Sequence, residues 1–446
     1  MGTLESILLV GVLLALVFSG VHVAVSLGIV SLIGLALATG DLQITFFFLN
    51  STAYEALRDY VFAVVPLFML MGEFISRSGI AADIFRAINR GLTRVPGRLA
   101  HATVTGNVVF AFVTGTSLAS ATAFTSIAYP QMRRYGYDTS FSLGLISGSA
   151  CLGMLIPPSL LMIVWGILTE QSIGAIFLAG VLPGIVLAGL MILYIVAVSI
   201  LRPSAVGEGG ATASATSAAG AGPAPEEQGG SAWGAMLGLL VIVIGSLGGI
   251  WAGIFTPTEG AGIGALLALA IGVLRGLGLR EIFDGILAVG KSAAPIMVIL
   301  FAAQLYARTL AMSGLGNSIQ GILVESGLGT WGVIAVMIAI WMLLGMIIDS
   351  ISIIILTVPI FAPIALSLGL DPLAFAIIGI LTIEAGLLTP PFGLLVYAVK
   401  SVAGSEEATL GAVFRGATPF WIILLVVVLI LLAEPRVATV LTRLLL

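Results

Sequence analysis

The 446-residue chain is 59% hydrophobic and 9% charged, with a formal net charge of −4 and a mean hydropathy of +1.21. A soluble protein carries about 25% charged residues, so these proportions exclude a water-exposed globular domain. Together with apolar runs that recur from end to end, they describe an all-α polytopic membrane protein with no nucleic-acid partner. Cys151 is the only cysteine, which excludes an intrachain disulfide and a cysteine-rich metal site.

In chain order, "MGTLESILLVGVLLAL" lacks the basic stretch of a cleavable signal and reads as a retained first span near 4–20. Further spans are expected near 22–39, 58–76, 139–169 and 175–200. Between the third and fourth lies 99–131, dense in Thr, Ser and Asn and interrupted by Gly115. Two half-helices of about 15 residues reach only ~22 Å each, short of the ~30 Å hydrocarbon core. A re-entrant hairpin with its tip at Thr114–Ser117 fits better. Arg77, Arg86, Arg90, Arg94 and Arg98 precede it and Arg133 and Arg134 follow, so both ends belong on the cytoplasmic side.

Residues 203–232 are rich in Ala, Gly, Ser and Pro and read as a flexible cytoplasmic linker. It divides the chain into halves 1–202 and 233–446. Adding 233 to first-half positions reproduces the landmarks of the second. Gly153 and Pro157-Pro158 fall on Gly386 and Pro390-Pro391, Gly136 and Asp138 on Gly369 and Asp371, and Pro130 on Pro363. With a small drift, 172–183 matches 409–419. Ordered landmarks at one offset indicate an internal duplication.

In the second half the equivalent hairpin is 332–364, with its tip near Ile347–Ser350. Its flanks contain Arg308 and no other Lys or Arg, which suggests the outside. Arg275, Arg280 and Lys291 suit an inner loop. Five spans per half is an odd number, so the second copy enters the membrane upside down. The expected fold is an inverted repeat of five spans plus one re-entrant hairpin per half, about ten spans and two hairpins. Arg436 and Arg443 in the tail would then lie outside, against the charge rule. Inverted repeats with broken helices at the midplane are the architecture of secondary transporters. Backbone groups freed by Pro157-Pro158 and Pro390-Pro391 cannot face lipid and must meet protein, water or a ligand. Unwound carbonyls suit cations, and half-helix N-termini suit anions.

The stretches "VPLFMLMGEFISRSGIA", "TGTSLASATAFTSIAYPQMRRYGYD", "LGMLIPPSLLMIVWG", "SIGAIFLAGVLPG", "TPTEGAGIGA" and "GMIIDSISIIILTVPIFAPIALSLGLDPLAFAIIGILTIEAGLLTPPFGLLVYAV" resemble the DctM-like large membrane subunit of TRAP, the tripartite ATP-independent periplasmic transporters. The resemblance covers nearly the whole chain except 203–232. It implies a sodium-coupled importer of organic acids, such as C4-dicarboxylates, sugar acids or sialic acid, in the bacterial inner membrane. It also implies a periplasmic binding protein that delivers substrate and a small four-helix membrane subunit, separate because none is fused to this chain. The fold it implies is of the elevator-type ion-transporter superfamily, in which hairpins and broken helices move against a scaffold. At 114–117 this chain has Thr-Gly-Thr-Ser where the family commonly reads Ser-Gly-Ser-Ser, so three hydroxyls are kept.

Candidate ion- and substrate-binding residues follow. Thr114, Gly115, Thr116 and Ser117 form the first tip, where hydroxyls and carbonyls suit Na⁺; Asn107 is a candidate for the same site. Gly345, Asp349 and Ser350 belong to the second tip, and an Asp at the bilayer centre costs about 2.5–3.5 kcal/mol unless it faces protein, water or a cation. Thr114, Thr116, Ser117, Asp349 and Ser350 are the Na⁺ candidates. Around the breaks lie Gly153, Pro157 and Pro158, and Thr382, Glu384, Gly386, Thr389, Pro390 and Pro391. Asp138 and Asp371 read as helix N-caps, and Glu259 with Thr256 as a capping box. His22 and His101 are isolated, and no cofactor is expected beyond the coupling ion. A stand-alone carboxylate or cation transporter of related fold is the alternative. An intramembrane enzyme using Asp349 and Glu384, or Ser149, lacks a His partner and leaves the duplication unexplained.

Overall fold

The computed structural model describes residues 3–92, 95–207, 232–314, 321, 327–404 and 408–446. Among these residues regular structure is helical throughout, apart from an isolated antiparallel bridge between Tyr137 and Val206. Seven described helices are long and apolar enough to cross a bilayer: Tyr60–Arg77, Ile173–Leu201, Trp233–Trp251, Pro257–Leu274, Leu279–Ser313, Ser350–Ser367 and Leu410–Ala433. The pair Thr139–Leu155 and Leu160–Thr169, bent by 41°, makes an eighth. The chain is therefore a multi-pass membrane protein. Ten spans follow only if Thr3–Phe18, Val23–Thr39 and the interrupted pair Pro372–Gly386 and Leu394–Ala403 also cross, and Ser350–Ser367 is a hairpin arm.

Each half holds one helical hairpin. The first runs Arg98–Thr114 and Ser117–Ile127, with only Gly115 and Thr116 between the arms. Tyr129–Arg134 is a separate short helix beyond it, so the arms end earlier than the expected 131. The second hairpin runs Gly329–Gly345 and Ser350–Ser367. Asp138 and Asp371 cap the helices that follow the hairpins, accepting from Phe141 N at 2.8 Å and from Leu373 N at 3.0 Å. The Thr256–Glu259 capping box forms as well.

Three helices are absent from the expected spans: Leu42–Arg58, Ile80–Gly91 and Arg436–Leu445. They are amphipathic or rich in polar residues, so a search for long apolar runs passes over them. Residues 203–207 also differ from a free linker. Pro203–Ala205 forms a 3₁₀ turn, Asp138 N donates to Ala205 O, and Val206 is 2% exposed. Residues 208–231 of the expected linker, and Arg94, lie outside the described residues.

The halves are joined through helix crossings rather than side by side. Gly144 in Thr139–Ala150 meets Gly416 in Leu410–Ala433 so closely that a Cβ on Gly144 would sit 2.0 Å from the Gly416 carbonyl carbon. Ser140 Oγ donates to Ala412 O across the same crossing. Membrane helices associate where small residues let backbones approach, because lipid tails provide no hydrophobic drive. Trp165 of the first half packs tilted against Trp341 and edge-to-face against Phe375 of the second, at 6.1 and 5.9 Å between ring centroids. Such aromatic pairs each contribute about 0.5–1.5 kcal/mol beyond burial.

A second group of helices flanks this core. Leu279–Ser313, 35 residues and thus about 52 Å long, lies against Val23–Thr39, where Thr309 Oγ1 donates to Ser31 O. Its other end meets Val64–Arg77, with Gly285 leaving room for the Arg77 guanidinium. Pro257–Leu274 packs on Val64–Arg77 through Gly264, whose absent side chain admits the Met71 sulfur.

Candidate functional site

The first tip is built by two residues. Gly115 ends the first arm with φ +58°, a left-handed conformation that costs glycine little. Thr116 caps the second arm, accepting from Ala119 N at 3.4 Å. The tip packs on the broken span behind it: Leu160 N donates to Gly115 O at 3.1 Å, and a Cβ on Gly115 would lie 2.6 Å from Pro158 O. The break is therefore satisfied in part by the tip, as a chain interruption at membrane depth requires. Ser159 caps the continuing half-helix Leu160–Thr169. Thr114 Oγ1 lies 3.2 Å from Ser120 Oγ.

The second tip repeats the plan with different chemistry. Asp349 caps Ser350–Ser367, accepting from Ser352 N at 3.0 Å and from the Ser352 hydroxyl. The last residue of the first arm, Gly345, lies on Gly386: a Cβ on either would be 2.8 Å from the other's Cα. Gly393 N, just past Pro390-Pro391, donates to Met346 O at 3.3 Å. Both diproline peptide bonds are cis.

Between the tips lies a buried acid. Glu384 is 1% exposed. Its Oε1 accepts from Ser350 Oγ at 2.9 Å, and Ser117 of the first tip lies beside the same carboxylate. Its Oε2 has no protein partner. The Cys151 thiol contacts the Glu384 carbonyl at 3.9 Å. The 233-residue offset that aligns the prolines also pairs Thr116 with Asp349, Ser117 with Ser350, Ser149 with Thr382 and Cys151 with Glu384. Both tips thus converge on one carboxylate carried by a single half.

In front of the tips is a cavity of about 850 Å³. Of the residues singled out in the sequence, Thr114, Thr116, Ser117, Asp349 and Ser350 line it. Met154 and Leu160 of the broken span, and Leu387 and Leu394 of the second interrupted pair, also reach it. The opposite wall holds Glu73 and Ser76 of Val64–Arg77 and Ser292 of the long helix. Those three were not recognised in the sequence, because a lone hydroxyl or acid on a long apolar helix gives no local signal.

Other candidates sit behind the cavity. Gly115, Gly153, Pro157, Pro158, Gly345, Gly386, Pro390 and Pro391 shape the backbone on which the tips rest. Asn107 Nδ2 donates to Ser149 Oγ at 2.7 Å, away from the cavity lining, while its Oδ1 has no protein partner. Thr382 and Thr389 return their hydroxyls to Ile378 O and Gly386 O, the internal bonding that polar residues in membrane helices often make.

The capping role of Asp349 separates its charge from its shape. Asp349→Asn keeps an acceptor for Ser352 N, whereas Asp349→Ala removes the cap and is expected to cost about 1 kcal/mol. Thermal melts of the two purified variants should show the alanine form less stable than the asparagine form.

An all-helical multi-pass fold, with two hairpin tips, a broken span and a second interrupted helix pair meeting at one cavity, is the architecture of a membrane permease. The family described as "Tripartite ATP-independent periplasmic transporter, DctM component" matches residues 10–437. The chain belongs to that family and is a TRAP large permease subunit. It is 35% identical over 392 residues to the C4-dicarboxylate TRAP transporter large permease protein DctM of Pseudomonas aeruginosa, covering 86% of this chain and 87% of that protein. It is 28% identical to the sialic acid TRAP large permease protein SiaM of Vibrio cholerae over 95% of both chains. To the ectoine TRAP large permease protein TeaC of Halomonas elongata it is 29% identical over 97% of both. Among solved structures, the YdaH transporter of Alcanivorax borkumensis superposes with a TM-score of 0.64 at 14% identity over 88% of each chain, a likeness of fold alone.

Proposed function

We propose that this subunit forms the membrane pathway of a sodium-coupled importer of organic acids. The observation that carries this reading is the convergence of both tips and both broken spans on one cavity, walled on its far side by a separate group of helices. That arrangement suits an elevator, with the hairpins and broken spans as the moving block and Val64–Arg77, Pro257–Leu274 and Leu279–Ser313 as the scaffold. A periplasmic binding protein supplies substrate and a small membrane subunit braces the scaffold, as in tripartite systems of this family. The subunit is read as an inner-membrane protein, and the basic residues Arg77, Arg133 and Arg134 support a cytoplasmic position for their loops.

Hydroxyls at Thr114, Thr116, Ser117 and Ser350, with the Asp349 and Glu384 carboxylates, supply the oxygen ligands a hard cation takes. Both second arms direct their N-termini at the tips, which favours an anionic group nearby. Each Na⁺ moving inward gains about 2.3 kcal/mol per 100 mV, and two would supply ~4.6 kcal/mol, partly offset by an anionic substrate. Reconstitution with candidate partner proteins tests the coupling: uptake should collapse when choline replaces Na⁺. Uptake that continues unchanged in choline refutes sodium coupling.

The inverted repeat has its own test. Cys151 is the only cysteine and is buried, so one introduced thiol reports alone. Leu370→Cys is expected to react with an impermeant reagent added outside, and Arg134→Cys to stay protected. Equal labelling of both would reverse the assigned orientation of one half.

A further inference from the structure

We infer that the corner between Ile80–Gly91 and the end of Pro257–Leu274 binds the phosphate headgroup of an anionic phospholipid. Its centre is Asp83, 4% exposed, which takes one guanidinium on each carboxylate oxygen: Arg86 from its own helix and Arg275 from the other. Arg275 is fixed further by donating its Nε to Ser78 O at 3.0 Å. One carboxylate between two guanidiniums leaves a net positive charge held in place. Arg86 and Arg275 retain N–H groups beyond those spent on Asp83 and Ser78, and an arginine fork already oriented loses little entropy on meeting phosphate.

The surroundings select a lipid over a soluble anion. Ile80, Ile84 and Phe85 are buried on one face of Ile80–Gly91, while Arg86 stays partly exposed. A helix of this kind lies in the plane of the interface with its basic side at headgroup level. Beside Arg275 the chain is apolar and open: Leu274 is 86% and Leu279 is 77% exposed. Acyl chains can lie along these leucines while the phosphate reaches the arginines. The acid in the next turn, Glu281, points its carboxylate at Gly278 N at 2.8 Å. Anionic headgroups on the cytoplasmic leaflet are drawn to such juxtamembrane basic clusters.

The full chain in nanodiscs of phosphatidylcholine alone, or of phosphatidylcholine with phosphatidylglycerol, tests this without a transport assay. Thermal midpoints and lipids retained in native mass spectrometry are compared. The anionic discs are expected to raise the midpoint by about 3 °C or more, with phosphatidylglycerol adducts retained. Arg86→Gln should lose most of that shift and the adducts, Arg86→Lys should keep part, and Arg415→Gln, at an exposed site elsewhere, should keep all of it. A midpoint indifferent to headgroup charge, or an Arg86→Gln variant that responds like the parent, overturns the assignment. Inorganic phosphate reproducing the whole shift in phosphatidylcholine discs overturns the lipid and assigns the corner to a soluble anion.

Discussion

Gly386→Val is expected to abolish uptake. The contacts a side chain would meet at this position are main chain, Gly345 Cα at 2.8 Å and Met342 O at 2.9 Å. No rotamer change relieves that overlap, so the second hairpin must lift from the broken span it seats. Overpacking of a well-filled interior typically costs about 1–3 kcal/mol even where side chains can adjust. Here the displaced element also carries Asp349 and Ser350 to the cavity. A Cβ on Gly411 would meet nothing within 4 Å, so Gly411→Val controls for the residue type. Proteoliposome uptake and thermal midpoint should fall together for Gly386→Val and stay near the parent for Gly411→Val. Normal uptake by the position-386 variant would show that the hairpin does not need this seat.

The second large effect is expected at Glu384. A buried carboxylate with one strong donor and a second oxygen without a protein partner is costly unless a positive charge joins it, and no basic side chain bonds it among the described residues. Under the proposed function that charge is the coupling ion. Glu384→Gln keeps an acceptor for Ser350 and removes the charge, so the Na⁺ half-saturation of uptake should rise about tenfold, equivalent to 1.4 kcal/mol, with the thermal midpoint little changed. Glu384→Ala also strands the Ser350 hydroxyl and should destabilise by about 1–3 kcal/mol. An unaltered Na⁺ dependence in the glutamine variant removes Glu384 from the ion's path.

Much of this architecture is legible in the residues because membrane interiors punish exceptions. Two proline pairs in apolar runs, a hydroxyl-rich turn at Thr114–Ser117 and an acid-bearing turn at Ile347–Ser350 stand out against lipid-compatible sequence, and the structure places tips at both turns. The orientation of individual polar groups is not legible in the same way. Thr116 and Thr382 are the same residue type, yet one caps an arm at the tip and lines the cavity while the other bonds its own helix. Which occurs depends on what packs against the turn, and that partner lies far away in sequence. Ser76 and Ser292 reach the cavity only because two distant helices bring them there. Helices such as Ile80–Gly91 escaped for a related reason: their length and mixed polarity match neither a span nor a soluble loop.

The equivalence of Cys151 and Glu384 under the 233-residue offset has a further meaning. Two acids facing one another in that buried centre would repel; a thiol opposite a single acid avoids the conflict. Under the proposed inverted repeat, turning the molecule over would therefore not reproduce it. Unlike partners at equivalent positions, Cys151 with Glu384 and Thr116 with Asp349, give the two halves different chemistry on a shared plan.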